Sequence, residues 1–175
     1  MSINKDIALT LKGVEVHFPV KGGIWMRPVA TCKAVDGVSL EISKGETLGL
    51  VGESGSGKST LGRSLLNLVP ATSGQILFDG HEVISLAPSE LKSLRRRMQI
   101  IFQDPYSSLN PRFTVEQIIG EALSVHFKVN GKELRDKVES LMEKVGLSSM
   151  YLNRYPHEFS GGQRQRIGIA RALAL

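Results

Sequence analysis

The chain is short of cysteine, of aromatic residues and of long apolar runs. Its one cysteine, Cys32, has no second thiol to pair with, so an internal disulfide is excluded and a reducing compartment is the expected setting. Nowhere do 18 apolar residues follow one another, so no segment of this sequence has the length and apolarity of a membrane span, and any membrane role falls to a partner. The opening residues MSINKDIALTLKG scatter charges among apolar positions and lack the unbroken apolar core expected of a signal peptide. Internal repeats, low-complexity tracts and long linkers are missing too. With 175 residues, the sequence suffices for one domain with a proper core and is short for two.

Glycine, by contrast, is plentiful: 18 residues, several in short clusters that point to specialised loops. The formal net charge of +5 permits an anionic partner such as a nucleotide or a nucleic acid. Its densest run, Arg95-Arg96-Arg97, reads most simply as a solvated helix face. Charge alone selects no function.

Periodicity divides the chain into two kinds of strand. Residues 7–18 alternate apolar and polar positions, as do residues 34–44, and both read as half-buried strands. Residues 19–33, with Pro19, Gly22, Gly23 and Pro28, read as a loop between them. A further strand-loop-strand pattern surrounds Gly74–Gly80, so an antiparallel β region is expected. Thr47–Val51 and Met98–Phe102 are short and mostly apolar, which suits strands inside a parallel sheet. Residues 113–150 read as helical. There Thr114 with Gln117 makes a capping box, Asn130 with Glu133 resembles one, and Gly146 is a fitting C-terminal cap. A last helix is expected to begin after Ser160 and to run through Leu175.

Chemistry enters with Gly52-Glu53-Ser54-Gly55-Ser56-Gly57-Lys58-Ser59-Thr60, which fits the pattern G-x-x-x-x-G-K-[ST] between an expected strand and an expected helix. Glycines let the backbone curl so that successive N–H groups face one anion, and the helix N-terminus adds partial positive charge. Lys58 is placed to reach the β- and γ-phosphates of a nucleotide, and the Ser59 hydroxyl to hold Mg²⁺. The bland reading, a glycine-rich turn from strand to helix, does not account for the complete spacing.

A second motif narrows the class. Phe159-Ser160-Gly161-Gly162-Gln163, followed by Arg164-Gln165-Arg166, places Ser160 at an N-cap and Gln163 at the third helical position. Alone it reads as a well-capped helix. With the phosphate-binding loop 102 positions upstream of Ser160, counted from Lys58, it resembles the LSGGQ signature of ABC ATPases, Phe159 standing where that motif has Leu. The resemblance covers almost the whole chain.

That resemblance implies an α/β fold: a P-loop NTPase core with an antiparallel β subdomain (residues 1–85 with the core), a helical subdomain (86–160) and a signature helix (160–175). It implies ATP and Mg²⁺ as cofactors. It also implies a head-to-tail dimer in which Ser160, Gly161, Gly162 and Gln163 close on the nucleotide of a second ATPase subunit. Gln103, at the end of Met98–Phe102, falls where the family has its Q-loop, so the resemblance gives it to Mg²⁺ and the attacking water. The loop after it would face the transmembrane permease subunits. An aromatic at the end of the first strand would stack on adenine; Phe18 matches best, with core packing as its other reading, and Trp25 is the second candidate.

Asp104-Pro105-Tyr106-Ser107-Ser108-Leu109-Asn110-Pro111-Arg112, with Tyr155-Pro156-His157-Glu158 ahead of the signature, resembles the ATP-binding subunits of dipeptide and oligopeptide importers, whose close relatives move nickel and other small solutes. The implied location is the cytoplasmic face of the cell membrane, with an extracytoplasmic solute-binding protein as an indirect partner and no nucleic acid. In the family, the strand that carries the magnesium-binding Asp and the catalytic Glu follows the signature helix, and the switch His comes later. No residue up to Leu175 matches them, and His17, His81, His126 and His157 are scattered. No catalytic residue is therefore assigned, and the sequence is expected to be part of a longer subunit, binding ATP without hydrolysing it. The rival reading is a non-transport ABC ATPase of DNA repair or translation. The spacing between the two motifs leaves no room for the coiled coil of the first, and QDPYSSLNPR has no role in the second.

Overall fold

A computed structural model of the chain describes residues 7–22, 27–104 and 108–175. They fall into two compact units that divide between Arg95 and Arg96, each taken by itself below.

The first unit is built on a long hairpin, β1 (Ile7–Gly22) and β2 (Arg27–Ser43), to which β3 (Ser73–Phe78) and β4 (His81–Glu82) add in the order β2-β1-β3-β4. Every pairing is antiparallel. In β1 the buried positions are Leu9 and Leu11, then Val14 and Val16. The switch from odd to even numbers falls at a bulge, where the pairing with β2 shifts between Leu11 and Val14 and that with β3 between Lys12 and Glu15. One extra residue there turns the strand by a step and keeps its apolar side inward. Asp79 and Gly80, at φ 46° and 79°, join β3 to β4 in the left-handed conformation of a two-residue hairpin.

The stretch expected as a loop over 19–33 is instead mostly strand. Pro19 pairs with Thr31 and Pro28 with Lys21 in the outer half of the hairpin. The prolines are tolerated because β3 pairs with β1 only as far as Glu15, so β1 has an open edge beyond it, and β2 is an edge strand throughout. Trp25 lies outside the described residues. The two expected parallel strands are not in a ladder among the described residues. Leu48, Leu50 and Val51 are 45, 50 and 92% exposed, and Ile101 is 46% exposed. A strand exists only with a paired edge, and no described strand supplies one to either segment.

Helix α1 (Lys58–Leu65) follows the glycine-rich loop, and α2 (Pro88–Arg95) closes the unit. The reading of the Arg95 triplet as a solvated face fails for Arg95 itself. Its Nε and Nη2 donate to the Leu66 carbonyl at 3.0 and 2.8 Å, and Nη2 also to that of Asn67, which places a cation at the C-terminal end of α1.

The second unit packs three helices, α3 (Val115–Phe127), α4 (Gly131–Lys144) and α5 (Gly161–Ala172), around Val115, Ile119, Val138, Met142, Ile167 and Ala170. The capping box at α3 forms as expected: Gln117 N–H donates to Thr114 Oγ1, and Thr114 N–H to Gln117 Oε1 at 2.9 Å. The one expected at α4 does not. Asn130 Nδ2 donates to the Lys128 carbonyl, and Glu133 pairs with Lys137 at 2.8 Å, one helical turn on. At the other end of α4, Gly146 N–H meets the Glu143 carbonyl and Leu147 N–H that of Met142, the two bonds of a Schellman stop. Helix α5 ends at Ala172, with Leu173 N–H on the Ile169 carbonyl, short of the end expected at Leu175.

Candidate nucleotide-binding loop and signature helix

The loop Gly52–Gly57 is held by its own backbone and by one cation. Ser56 N–H donates to the Glu53 carbonyl at 3.2 Å. Lys58 Nζ reaches back over the loop, donating to the Gly52 carbonyl at 2.8 Å, to that of Glu53, and to Ser56 Oγ at 3.1 Å. Gly57, at φ 89°, is the N-cap of α1, and no side chain caps the helix. The first-turn N–H groups, those of Lys58, Ser59 and Thr60 among them, are thus left to an outside acceptor. A Cβ on Gly57 would lie 2.0 Å from the Ala34 carbonyl oxygen, so glycine is required both for its φ and for the approach of β2. The loop opens on a cavity of about 410 Å³ lined by Lys33, Ala34, Val35, Gly52, Ser56, Gly57 and Lys58 among others.

These features fit a nucleotide triphosphate chain: uncapped amides and an ammonium converge on one side of a tight loop that a side chain would fill. Glu53, Ser54 and Gly55 form its outer turn, Gly55 at φ 86°. Phe18 does not line this cavity; it sits on β1 opposite Cys32, 42% exposed. Gly57→Ala is expected to lower the melting temperature and remove Mg-ATP binding together, since a left-handed φ costs an alanine about 1–2 kcal/mol before the clash is counted. Thermal melts and calorimetric titration check both.

In the second unit, Ser160 and Gln163 bridge each other. Gln163 N–H donates to Ser160 Oγ at 3.3 Å, and Ser160 N–H to Gln163 Oε1 at 3.0 Å, the box that the spacing implied. A Cβ on Gly161 or Gly162 would meet nothing within 4 Å. Space lies open at the mouth of α5, beside a cavity of about 480 Å³ lined by Ser148, Tyr151, Ser160, Gly162, Gln163 and Arg166 among others. Phe159 is buried, its ring edge-on to Tyr151 at 5.7 Å, which explains why an aromatic serves where Leu is usual. Ser160→Ala is expected to cost about 1 kcal/mol of stability through the lost cap, read as a shift of the denaturant midpoint at constant slope.

Sequence reasoning missed the turn before the signature. Glu158 Oε2 accepts from Tyr155 N–H at 2.7 Å, and Arg164 Nε donates to the Pro156 carbonyl at 2.8 Å. Pro156 at the start of that turn with an acid two residues on was the available signal. Gln103 is exposed in the second unit. Among the described residues no three His, Cys, Asp or Glu side chains gather as a metal site, and no helix is long and apolar enough to cross a membrane.

A G-x-x-x-x-G-K-[ST] loop opening a helix is the sequence pattern of P-loop nucleotide-binding proteins. The family model for ABC transporters matches residues 35–175, and the chain belongs to that family. It is 52% identical to the oligopeptide transport ATP-binding protein AppF of Bacillus subtilis (strain 168), over 98% of this chain and 53% of that protein. To the oligopeptide transport ATP-binding protein OppF of Escherichia coli (strain K12) it is 50% identical, over 98% of this chain and 52% of the relative. The glutathione import ATP-binding protein GsiA of Escherichia coli (strain K12) is also 50% identical, with 28% of its length covered. The chain thus spans about half the length of AppF and OppF. Among solved structures, the dimeric post-hydrolysis state of the ATP-binding cassette MJ0796, bound to ADP and Pi, superposes with a TM-score of 0.78 at 32% identity, over 95% of this chain and 69% of the other. The fold expected from the sequence, an α/β ABC ATPase with an antiparallel β region and helices, is the one found.

Proposed function

We propose that the chain is the nucleotide-binding part of an ATPase subunit that drives a di- or oligopeptide importer through ATP binding and hydrolysis in a head-to-tail dimer. The carrying observation is the Gly52–Thr60 loop with Lys58 folded across it and an uncapped helix behind it. Likeness to the oligopeptide transport ATP-binding proteins supports the cargo class, and favours transport over a role in DNA repair or translation. In this reading Lys58 and the loop amides of Gly52–Gly57 hold the phosphates. Ser59 and Gln103 hold Mg²⁺, which when bound neutralises phosphate charge. Thr60 closes the first turn of α1, and Phe18 stacks on adenine. Ser160, Gly161, Gly162 and Gln163 meet the nucleotide of a second ATPase subunit. The remaining partners are a transmembrane permease, at the cytoplasmic face of the cell membrane, and indirectly an extracytoplasmic solute-binding protein.

In this reading no described residue is assigned the part of the carboxylate that positions the attacking water, and residues 1–175 by themselves are expected to bind Mg-ATP without turnover. The test is phosphate release measured beside ATP binding on the same protein; saturable binding with no release above the buffer rate is expected, and steady turnover would contradict the reading. For Phe18, substitution by alanine is expected to weaken ATP by about 1–3 kcal/mol, the range for a base stacked on an aromatic, while inorganic triphosphate binds unchanged. Equal losses for both ligands would make Phe18 a structural residue.

A further inference from the structure

Helix α5 is tied to its own unit by three arginines, each donating to a backbone carbonyl elsewhere. Arg164 takes that of Pro156, immediately before the signature, and Arg166 Nη1 takes that of Val145 at the end of α4, at 3.0 Å. Both fix the N-terminal half of the helix to the surrounding helices. The third tie is of another kind. At the far end of α5, Arg171 Nη1 donates to the Ser108 carbonyl at 2.6 Å, across 63 positions of sequence. Ser108 lies five positions after Gln103 in the sequence, and its neighbour Leu109 is 3% exposed in the same core as Ile167 and Ala170 of α5. The Arg171 guanidinium is half-buried: desolvation lowers its pKa from the ordinary arginine value, and Glu121 on α3 acts in the opposite sense. Partial burial strengthens such a bond and raises the cost of losing it.

We propose that Arg171 is a positioning residue that couples the segment beginning at Ser108 to the signature helix, so that a displacement of that segment is carried along α5 to Ser160–Gln163. The proposal rests on the reading above, in which that segment faces the permease and Ser160–Gln163 meets nucleotide. The geometry adds the means: a rigid helix of 12 residues with the receiving bond at one end and the signature at the other. A charge-assisted, planar donor suits the task, since a guanidinium holds direction where an ammonium holds only proximity.

The test is ATP turnover of the complete ATPase, with and without its membrane permease in nanodiscs, for Arg171→Met and Arg171→Lys. The quantity read is the ratio of the two rates, which a loss of folded protein leaves unchanged. The ratio is expected to fall about fivefold or more in Arg171→Met, the lower end of measured coupling between sites, and to recover in part in Arg171→Lys. ATP affinity at the enzyme's own phosphate loop stays the same. An unchanged ratio in both variants would overturn the proposal. If Arg171→Met does not fold, Arg171→Lys decides: a reduced ratio supports the coupling and a normal one ends it. Gly162→Val in the same assay separates the two levels of the argument. Turnover that survives Gly162→Val removes the signature reading, and the coupling with it. Turnover lost there while the Arg171 ratios stay normal removes the coupling alone.

Discussion

Lys58→Ala is expected to weaken Mg-ATP binding more than any substitution in the loop that leaves its backbone conformation intact. A hydrogen bond to a charged partner contributes about 1.5–3 kcal/mol, which is about 10- to 150-fold in affinity. Two effects of the substitution must be told apart, because Lys58 Nζ also bonds the Gly52 and Glu53 carbonyls and Ser56 Oγ within the loop. These contacts are exposed, so their loss moves the melting temperature of the ligand-free protein only slightly. Calorimetric titration with ATP beside a melt without ligand gives both numbers. Large loss of affinity with little loss of stability is the expected pair. Unimpaired ATP binding would show that the nucleotide sits elsewhere.

Gly162→Val is expected to abolish ATP-driven dimerisation and turnover of the complete ATPase while sparing the fold. The reason is the open space at the mouth of α5: an added Cβ meets no atom within 4 Å, and Gly162 is at the second position of a helix whose cap is supplied by Ser160 and Gln163. Valine costs a helix a few tenths of a kcal/mol relative to most residues, too little to unfold the unit. In the proposed head-to-tail dimer, what it takes away is close approach of a partner's nucleotide to the helix N–H groups. Sedimentation with and without ATP, together with a melt, checks this. Dimers that still form with ATP would remove the signature from the interface.

Much of the site was legible in the sequence because its physics is local. The helix after the glycine-rich loop, the Thr114–Gln117 box and the cap at Ser160 each depend on a few residues at fixed spacing, and each is present at the expected place. What could not be read depends on remote partners. Asn130 and Glu133 have the spacing of a box, yet Lys137 one turn away won the carboxylate. Pro19 and Pro28 mark a loop only if both strand edges are paired, and the short reach of β3 leaves them an open edge. Thr47–Val51 and Met98–Phe102 carry the residue pattern of buried strands, and pattern cannot supply the neighbouring strand that a ladder needs. Arg171 and Ser108, 63 positions apart, gave no signal at all, since nothing in local spacing marks a side chain that bonds a distant carbonyl.

The central claim is that Gly52–Thr60 is where this chain holds a nucleotide. Its most direct test is to follow the backbone amide resonances of the isotope-labelled protein while Mg-ATP is added. The account predicts saturable shifts that are largest from Gly55 to Thr60, where amide groups meet the phosphates, and that need about 10- to 150-fold more ATP in Lys58→Ala. Shifts confined to other residues, or none at millimolar ATP, would contradict it.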